Sequence, residues 1–441
     1  MPAVAEGVVA YVLKGFPRLS ETFIANEIHQ LESAGMRLRL YSVKGGEHEL
    51  VHDVVRRIRA PIEYLPEMTS LTGTPLLAWL RVNLPRVARA HGRLLRRRPL
   101  AYVATLTQAL RMCWRYREGA LAAPRKVYIK EFLQAGDIAA RVLGDTSIRH
   151  LHGHFCHGAT TITWFVSRLT GLPFSFTAHA KDIYLDDLNP RDLLPRKLAA
   201  ARFVATCTGA NAQHLRARAA RAERVHTIYH GLDTRYFAPS GGDAASAAPP
   251  LVVSVGRFVE KKGFAYLVEA CARLRAGGVK MRCVIVGERG PDSERIARMV
   301  REAGLEDCVE LRGPVGQDAL RSLYREASLF VLPCQVVADG DRDGIPNVLA
   351  EAMATGLAVV STDVSGIPEL VSHGVDGLLV PARDGDALAH AMRVLIEDPA
   401  LRRQLGAAAR AKICATFDAT RTTRALHDLF ARSLAAGGAG A

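Results

Sequence analysis

The stretch Leu251-Val-Val-Ser-Val-Gly-Arg257-Phe-Val-Glu-Lys-Lys262-Gly263 decides the fold. Leu251–Val255 reads as a short strand, because a bounded run of β-branched residues fits a pleated sheet and is too short for a helix. Gly256 closes it, Arg257 and Lys262 follow, and Gly263 precedes a helix predicted over Phe264–Leu274. Strand, glycine-bearing turn and helix form the repeating unit of a doubly wound sheet. Such a turn suits a diphosphate: glycine admits backbone N–H groups, the helix presents its positive end, and two cations stand by. The other reading of these residues is an exposed charged turn.

The alternation continues on both sides. Downstream, strands are predicted at Arg282–Val286, Val309–Arg312, Leu329–Leu332 and Leu357–Ser361, with helices at Ser293–Ala303 and Asp318–Glu326. Asp386–Ala415 reads as one helix and Phe417–Leu434 as another. Upstream, strands are predicted at Val8–Leu13, Leu38–Val43, His150–Phe155, Phe174–Ala178, Phe203–Cys207 and Val225–Tyr229, after a first helix at Ser20–Glu32. The small, proline-bounded Pro239–Pro250 reads as a linker. The 441 residues therefore divide into domains at 1–237 and 251–416, joined by 238–250. The 417–434 helix is expected to pack back toward the first domain. Ligands of such sheets bind beyond the carboxyl ends of the strands, so the expected site is a cleft between the domains.

A second fragment, Asp343-Gly-Ile-Pro-Asn-Val-Leu-Ala-Glu351, carries two carboxylates. A helix beginning near Ile345 sets Asp343 before its first turn and Glu351 about two turns in. Glu351 lies in an apolar helix, where a carboxylate needs hydrogen-bond partners, and sugar hydroxyls supply them. Asp343 could equally be a cap.

The net charge of +14 is concentrated. Arg81–Lys130 holds thirteen Lys/Arg and one acidic residue, Glu118, interleaved with Leu100, Tyr102, Leu106 and Trp114. Basic and apolar residues alternating on helices fit an anionic membrane surface; a solvated helical face is the alternative, and nucleic acid is disfavoured. The eight cysteines show no Cys-x-x-Cys spacing, which points to small core residues in a reducing cytoplasm rather than disulfides or zinc. No run reaches transmembrane length, and the first residues lack a signal-peptide pattern.

Two metal readings fail. Asp339-Gly-Asp-Arg-Asp-Gly344 opens like a calcium loop, but position twelve is Ala350 and Pro346 interrupts it. His152 and His154 share one strand face without an accompanying ligand cluster, which favours a structural or site-lining role.

Arg257-x4-Lys262 and Asp343-x7-Glu351, in this order, resemble the retaining glycosyltransferases of family 4, which have the two-domain GT-B fold. The resemblance extends through His230-Gly-Leu-Asp233, Gly287-Glu, Ser365-Gly-Ile-Pro-Glu369 and Asp376-Gly-Leu-Leu-Val-Pro381. Phe16-Pro-Arg-Leu-Ser-Glu-Thr-Phe23, His152-Gly-His-Phe155 and Phe176-Thr-Ala-His-Ala-Lys-Asp182 look like its colanic-acid and exopolysaccharide branch.

The resemblance implies an α/β chain of two Rossmann-like domains and a metal-independent transfer of sugar from a UDP- or GDP-sugar. No cofactor is implied beyond that donor. Arg257 and Lys262 would hold the diphosphate, Glu351 the ribose, Asp343 the sugar hydroxyls, and His179 would lie beside the transferred sugar. Gly15, Gly256, Gly287, Gly344, Ile345, Pro346 and Asn347 would line the donor. The acceptor would be a lipid-linked oligosaccharide, met at the inner face of the membrane through Arg81–Lys130. A soluble small acceptor, or a polyanion-binding protein on the same scaffold, are the alternatives. One departure stands out: the family usually has Glu where this chain has Asp343, one methylene shorter.

Overall fold

The computed structural model describes residues 7–18, 22–46, 53–119, 121–239 and 249–438. Most of the predicted linker falls outside them. The chain divides into two compact units. The first comprises residues 1–207, 212–228 and 423–441, and the second 208–211 and 229–422.

The first unit holds a seven-stranded sheet. Its strands are β1 (Val8–Leu13), β2 (Arg37–Ser42), β3 (Ile62–Tyr64), β4 (Ile148–His154), β5 (Phe174–Ala178), β6 (Val204–Thr206) and β7 (Val225–Thr227). The order is β3-β2-β1-β4-β5-β6-β7, with every pairing parallel. β1 is buried throughout, so its side chains alternate between two apolar layers. Val8, Ala10 and Val12 join Trp79, Phe132 and Phe165 on one face. Val9, Tyr11 and Leu13 join Ile24, Ile28, Phe203 and Phe430 on the other. Phe430 comes from the Ala419–Gly438 helix, which also adds Leu426, Leu429 and Leu434 to that layer.

The second unit holds six parallel strands: β8 (Leu251–Val255), β9 (Arg282–Val286), β10 (Val309–Arg312), β11 (Leu329–Leu332), β12 (Ala358–Thr362) and β13 (Leu378–Val380). Their order is β10-β9-β8-β11-β12-β13. Phe237, ahead of the predicted linker, belongs to this core and packs near Tyr324. In both sheets the order reverses beside one strand, at β1/β4 and at β8/β11. Residues just beyond these strand ends are where a doubly wound sheet exposes backbone N–H groups and helix N-termini.

Several elements differ from expectation, four of them for a clear reason. β3 and β13 have three residues each and lie at sheet edges, too short to register as apolar runs. The Asp386–Ala415 stretch is two helices, Gly385–Glu397 and Pro399–Thr416. Asp398 breaks it: its carboxylate accepts from Leu401 N at 2.9 Å, and Pro399 takes the first helical position. The helix expected from Ile345 begins at Asn347, because Pro346 holds an extended ψ of 121° at the cap.

Most of the basic region folds as two successive helices, Leu76–Arg97 and Pro99–Arg115, and Lys130 at its end lies on a third, Val127–Val142. Among the described residues no helix is long and apolar enough to cross a membrane.

Candidate functional site

In the second unit, the candidate residues collect at the β8/β11 reversal. After Gly256 the chain makes a short turn, Glu260–Lys262, ending at Gly263 with φ +68°. A Cβ on Gly263 would stand 1.8 Å from the Pro333 carbonyl oxygen, so only glycine lets this turn close onto the end of β11. A Cβ on Gly287 would stand 1.8 Å from the Gly256 carbonyl oxygen, so the strand ends meet backbone to backbone. The aliphatic stem of Lys262 lies over the bare face of Gly256, its Cε 3.1 Å from where a Cβ would be.

This seating delivers the ammonium to the second fragment. Lys262 Nζ lies 2.6 Å from Asp343 Oδ2. Lys261 Nζ lies 3.5 Å from Asp343 Oδ1 and 3.1 Å from Asp341 Oδ1. Burial works against both charges, and the pairing outweighs it. Lys262 is carried above its usual range by Asp343, and Asp343 is held below the usual carboxylate range by the two lysines. The Cys334 thiol, 3.8 Å from Asp343 Oδ2, is pushed up to about 12 by burial and by that carboxylate. Arg257 is exposed, and its charge opposes the rise at Lys262. Two lysines therefore meet two carboxylates at a strand end, with the charge of Arg257 felt at Lys262.

Glu351 stands apart from that cluster. It sits on the Asn347–Ala354 helix and accepts a hydrogen bond from Tyr324 Oη at 3.1 Å. Burial raises its carboxyl to about 7, against the lowering effect of that bond. The two carboxylates of the fragment thus differ: Asp343 is a paired anion, and Glu351 titrates near neutrality. Between them Pro346 is buried, Ile345 and Asn347 are half-buried, and Gly344 O accepts from Gly366 N at 3.2 Å.

His179 and Gly15 belong to the first unit. Gly15 follows β1 and is buried. His179 follows β5, its backbone N donating to Asp182 Oδ1 at 2.9 Å. Its Nε2 lies 3.1 Å from His154 Nδ1, and its ring lies 5.0 Å from that of Phe23. His154 Nε2 is 3.4 Å from Glu27 Oε1, which accepts from Tyr11 Oη at 2.9 Å. His150 and His152 share Ser175 Oγ at 2.7 and 2.8 Å, and burial lowers the pKa of both rings. The histidines of β4 are thus tied into a buried polar network, in keeping with the structural or site-lining role expected for His152 and His154.

Several chemically capable residues escaped the sequence reading. Lys261 and Asp341 complete the charge cluster, and their positions beside Lys262 and within the aspartate run were the available signal. In the first unit, buried Lys197 donates to Cys156 O at 2.8 Å and Asn189 Oδ1 at 2.9 Å. Burial raises the Glu131 carboxyl, and the charges of Lys197 and Lys14 oppose that rise. Neither Glu131 nor Lys197 lies in a motif, so nothing in the sequence marks them.

Residues 243–412 match the family described as glycosyl transferases group 1. This segment is a group 1 glycosyltransferase domain. The amylovoran biosynthesis glycosyltransferase AmsK of Erwinia amylovora is 37% identical over 211 residues, 48% of this chain and 51% of that one. WcaL of Escherichia coli K12, provisionally named a colanic acid biosynthesis glycosyltransferase, is 41% identical over 167 residues, 38% of this chain and 41% of its own. The chain thus spans about half or less of the curated relatives it matches first. Among solved structures, HepE of Anabaena in complex with UDP-glucose has a TM-score of 0.68 at 17% identity, covering 96% of this chain and 99% of that one. The likeness shows the architecture, two parallel-sheet Rossmann-like units of the GT-B type.

Proposed function

We propose that the protein is a retaining glycosyltransferase that moves a sugar from a UDP- or GDP-sugar to a lipid-linked oligosaccharide in exopolysaccharide biosynthesis. The observation that carries this reading is Lys262, seated on Gly256 at a strand end and paired with Asp343. A nucleoside diphosphate brings phosphate oxygens that compete for the ammonium, and Arg257 adds a fork-shaped donor beside it. Released from Lys262, Asp343 can accept from sugar hydroxyls. Glu351 accepts from the ribose, in the manner in which it now accepts from Tyr324. That HepE was solved with UDP-glucose, and that AmsK is named for a polysaccharide pathway, support this choice of chemistry.

Catalysis then rests on positioning and electrostatics. The acceptor oxygen attacks the anomeric carbon on the face from which the diphosphate leaves, and the departing phosphate takes the acceptor proton. Lys262 and Arg257 stabilise the charge that develops on the leaving group. No metal is needed, because these cations do its work. The basic helices hold the enzyme on the cytoplasmic face of the membrane, where a lipid-linked acceptor resides.

A thermal-shift panel of UDP- and GDP-sugars tests the donor. A selective donor at a hundred times its Kd stabilises the fold by about 2.7 kcal/mol. If none of them shifts the transition, the donor assignment fails. Transfer abolished by EDTA would overturn metal independence.

A further inference from the structure

The Pro99–Arg115 helix borders a cavity of about 750 Å³ in the first unit, unrelated to the motifs above. Thr107, Gln108, Arg111 and Arg115 line it from that helix, and Arg168 and Arg196 from two others. Arg115 is braced by Asp192, at 3.1 and 2.8 Å. Arg196 donates to Tyr116 Oη at 3.1 Å and stacks over Trp164. Arg111 and Arg168 have no carboxylate partner among the described residues. Four guanidinium groups therefore line one cavity, and among the described residues Asp192 is the carboxylate paired with them. Arginine forks beside Thr and Gln donors match the oxygens of a phosphate ester.

The same helix shows what carries that phosphate. Leu100 is 85% exposed and Trp114 59%, with Val103 and Leu110 exposed between them. At 100° per residue these four form one stripe, adjacent to the stripe that lines the cavity. Apolar side chains held in water beside a cationic cavity complement a bilayer interface, where acyl chains lie next to phosphates. We propose that the cavity takes the phosphate of an anionic lipid headgroup while Leu100, Val103, Leu110 and Trp114 enter the interface. This rests on the membrane reading of the basic helices given above.

The test is co-sedimentation of the full chain with vesicles of phosphatidylcholine alone or with added phosphatidylglycerol. The wild type is expected to bind only the anionic vesicles. Arg111→Gln/Arg168→Gln, at exposed positions that the core does not need, is expected to weaken binding roughly tenfold to thirtyfold. Arg89→Gln/Arg96→Gln removes the same charge from the preceding helix and is expected to weaken it less. Equal losses in the two variants would overturn the cavity site and leave the membrane reading standing. A wild type that ignores both vesicles would overturn both. Calorimetric binding of inorganic pyrophosphate without vesicle binding would assign the cavity to a soluble phosphate instead. Donor hydrolysis in vesicle-free buffer is expected to be unchanged in both variants, which keeps this result separate from that on the donor site.

Discussion

Lys262 and Asp343 form a 2.6 Å ion pair at the carboxyl end of the second sheet, although they come from two separate sequence fragments. Each keeps the other ionised despite burial, and under the function proposed above each would exchange its partner for part of a nucleotide sugar.

On the function proposed above, Lys262→Ala removes a cation that would hold the leaving diphosphate. Turnover is expected to fall by roughly 10²–10³, the scale of losing one strong transition-state contact. Wild-type turnover in that variant would remove Lys262 from the reaction.

Asp343→Asn separates the two roles of the carboxylate. Without its counter-charge Lys262 is free to meet phosphate, so UDP or GDP alone should bind severalfold more tightly by calorimetry. The sugar hydroxyls are left with a neutral amide oxygen in place of a charged acceptor, so turnover should drop. Weaker binding of the bare diphosphate would show that Asp343 does not compete for Lys262.

Glu351 gives a pH signature. Its carboxyl is raised from an ordinary 4.5 to about 7 by burial. Below pH 4.5 both folded and unfolded chains hold the proton, and its contribution to stability is complete. As pH rises toward 7 the unfolded chain loses the proton first, so stability falls, and above 7 the loss is complete. Relative to Glu351→Gln, which stays neutral, the wild type should lose unfolding free energy across this window, read from urea midpoints. Donor affinity should move the opposite way, rising through pH 7 as Glu351 becomes the better acceptor. A parallel pair of stability profiles would exclude this titration.

Gly263→Ala forces a side chain onto a φ of +68° and into the Pro333 carbonyl. A loss of at least about 2 kcal/mol is expected from urea unfolding. Phe430→Ala opens a hole among Phe203, His152 and Tyr11, whose ring centres lie 5.5, 5.1 and 6.0 Å away. It should cost about 3–5 kcal/mol.

The sequence shows the fold wherever burial leaves a local trace. Strands β1, β8, β9 and β11 begin and end where their mainly apolar runs do, since strands covered on both faces need near-continuous hydrophobicity. β3 and β13 are edge strands whose partners, not their composition, make them strands. In the candidate site, spacing singles out Lys262, Asp343 and Glu351 but says nothing of which carboxylate meets which donor. Lys262 selects Asp343, and Tyr324, from the helix predicted over Asp318–Glu326, takes Glu351. The charge of Arg81–Lys130 is plain in the sequence, whereas the gathering of Arg111 and Arg115 with Arg168 and Arg196 depends on three helices meeting.

Leu426, Phe430 and Leu434 complete one apolar layer of the first unit, yet they follow residues 229–422 in the chain. On the ribosome, Val9, Tyr11 and Leu13 wait for that cover while the intervening residues are made, roughly 10 to 40 seconds at ordinary elongation rates. The second unit, whose core needs nothing translated later, is complete before the first. The usual N-terminal-first order of domain maturation is thereby inverted, and the newborn chain carries an open hydrophobic sheet face that a chaperone would be expected to hold.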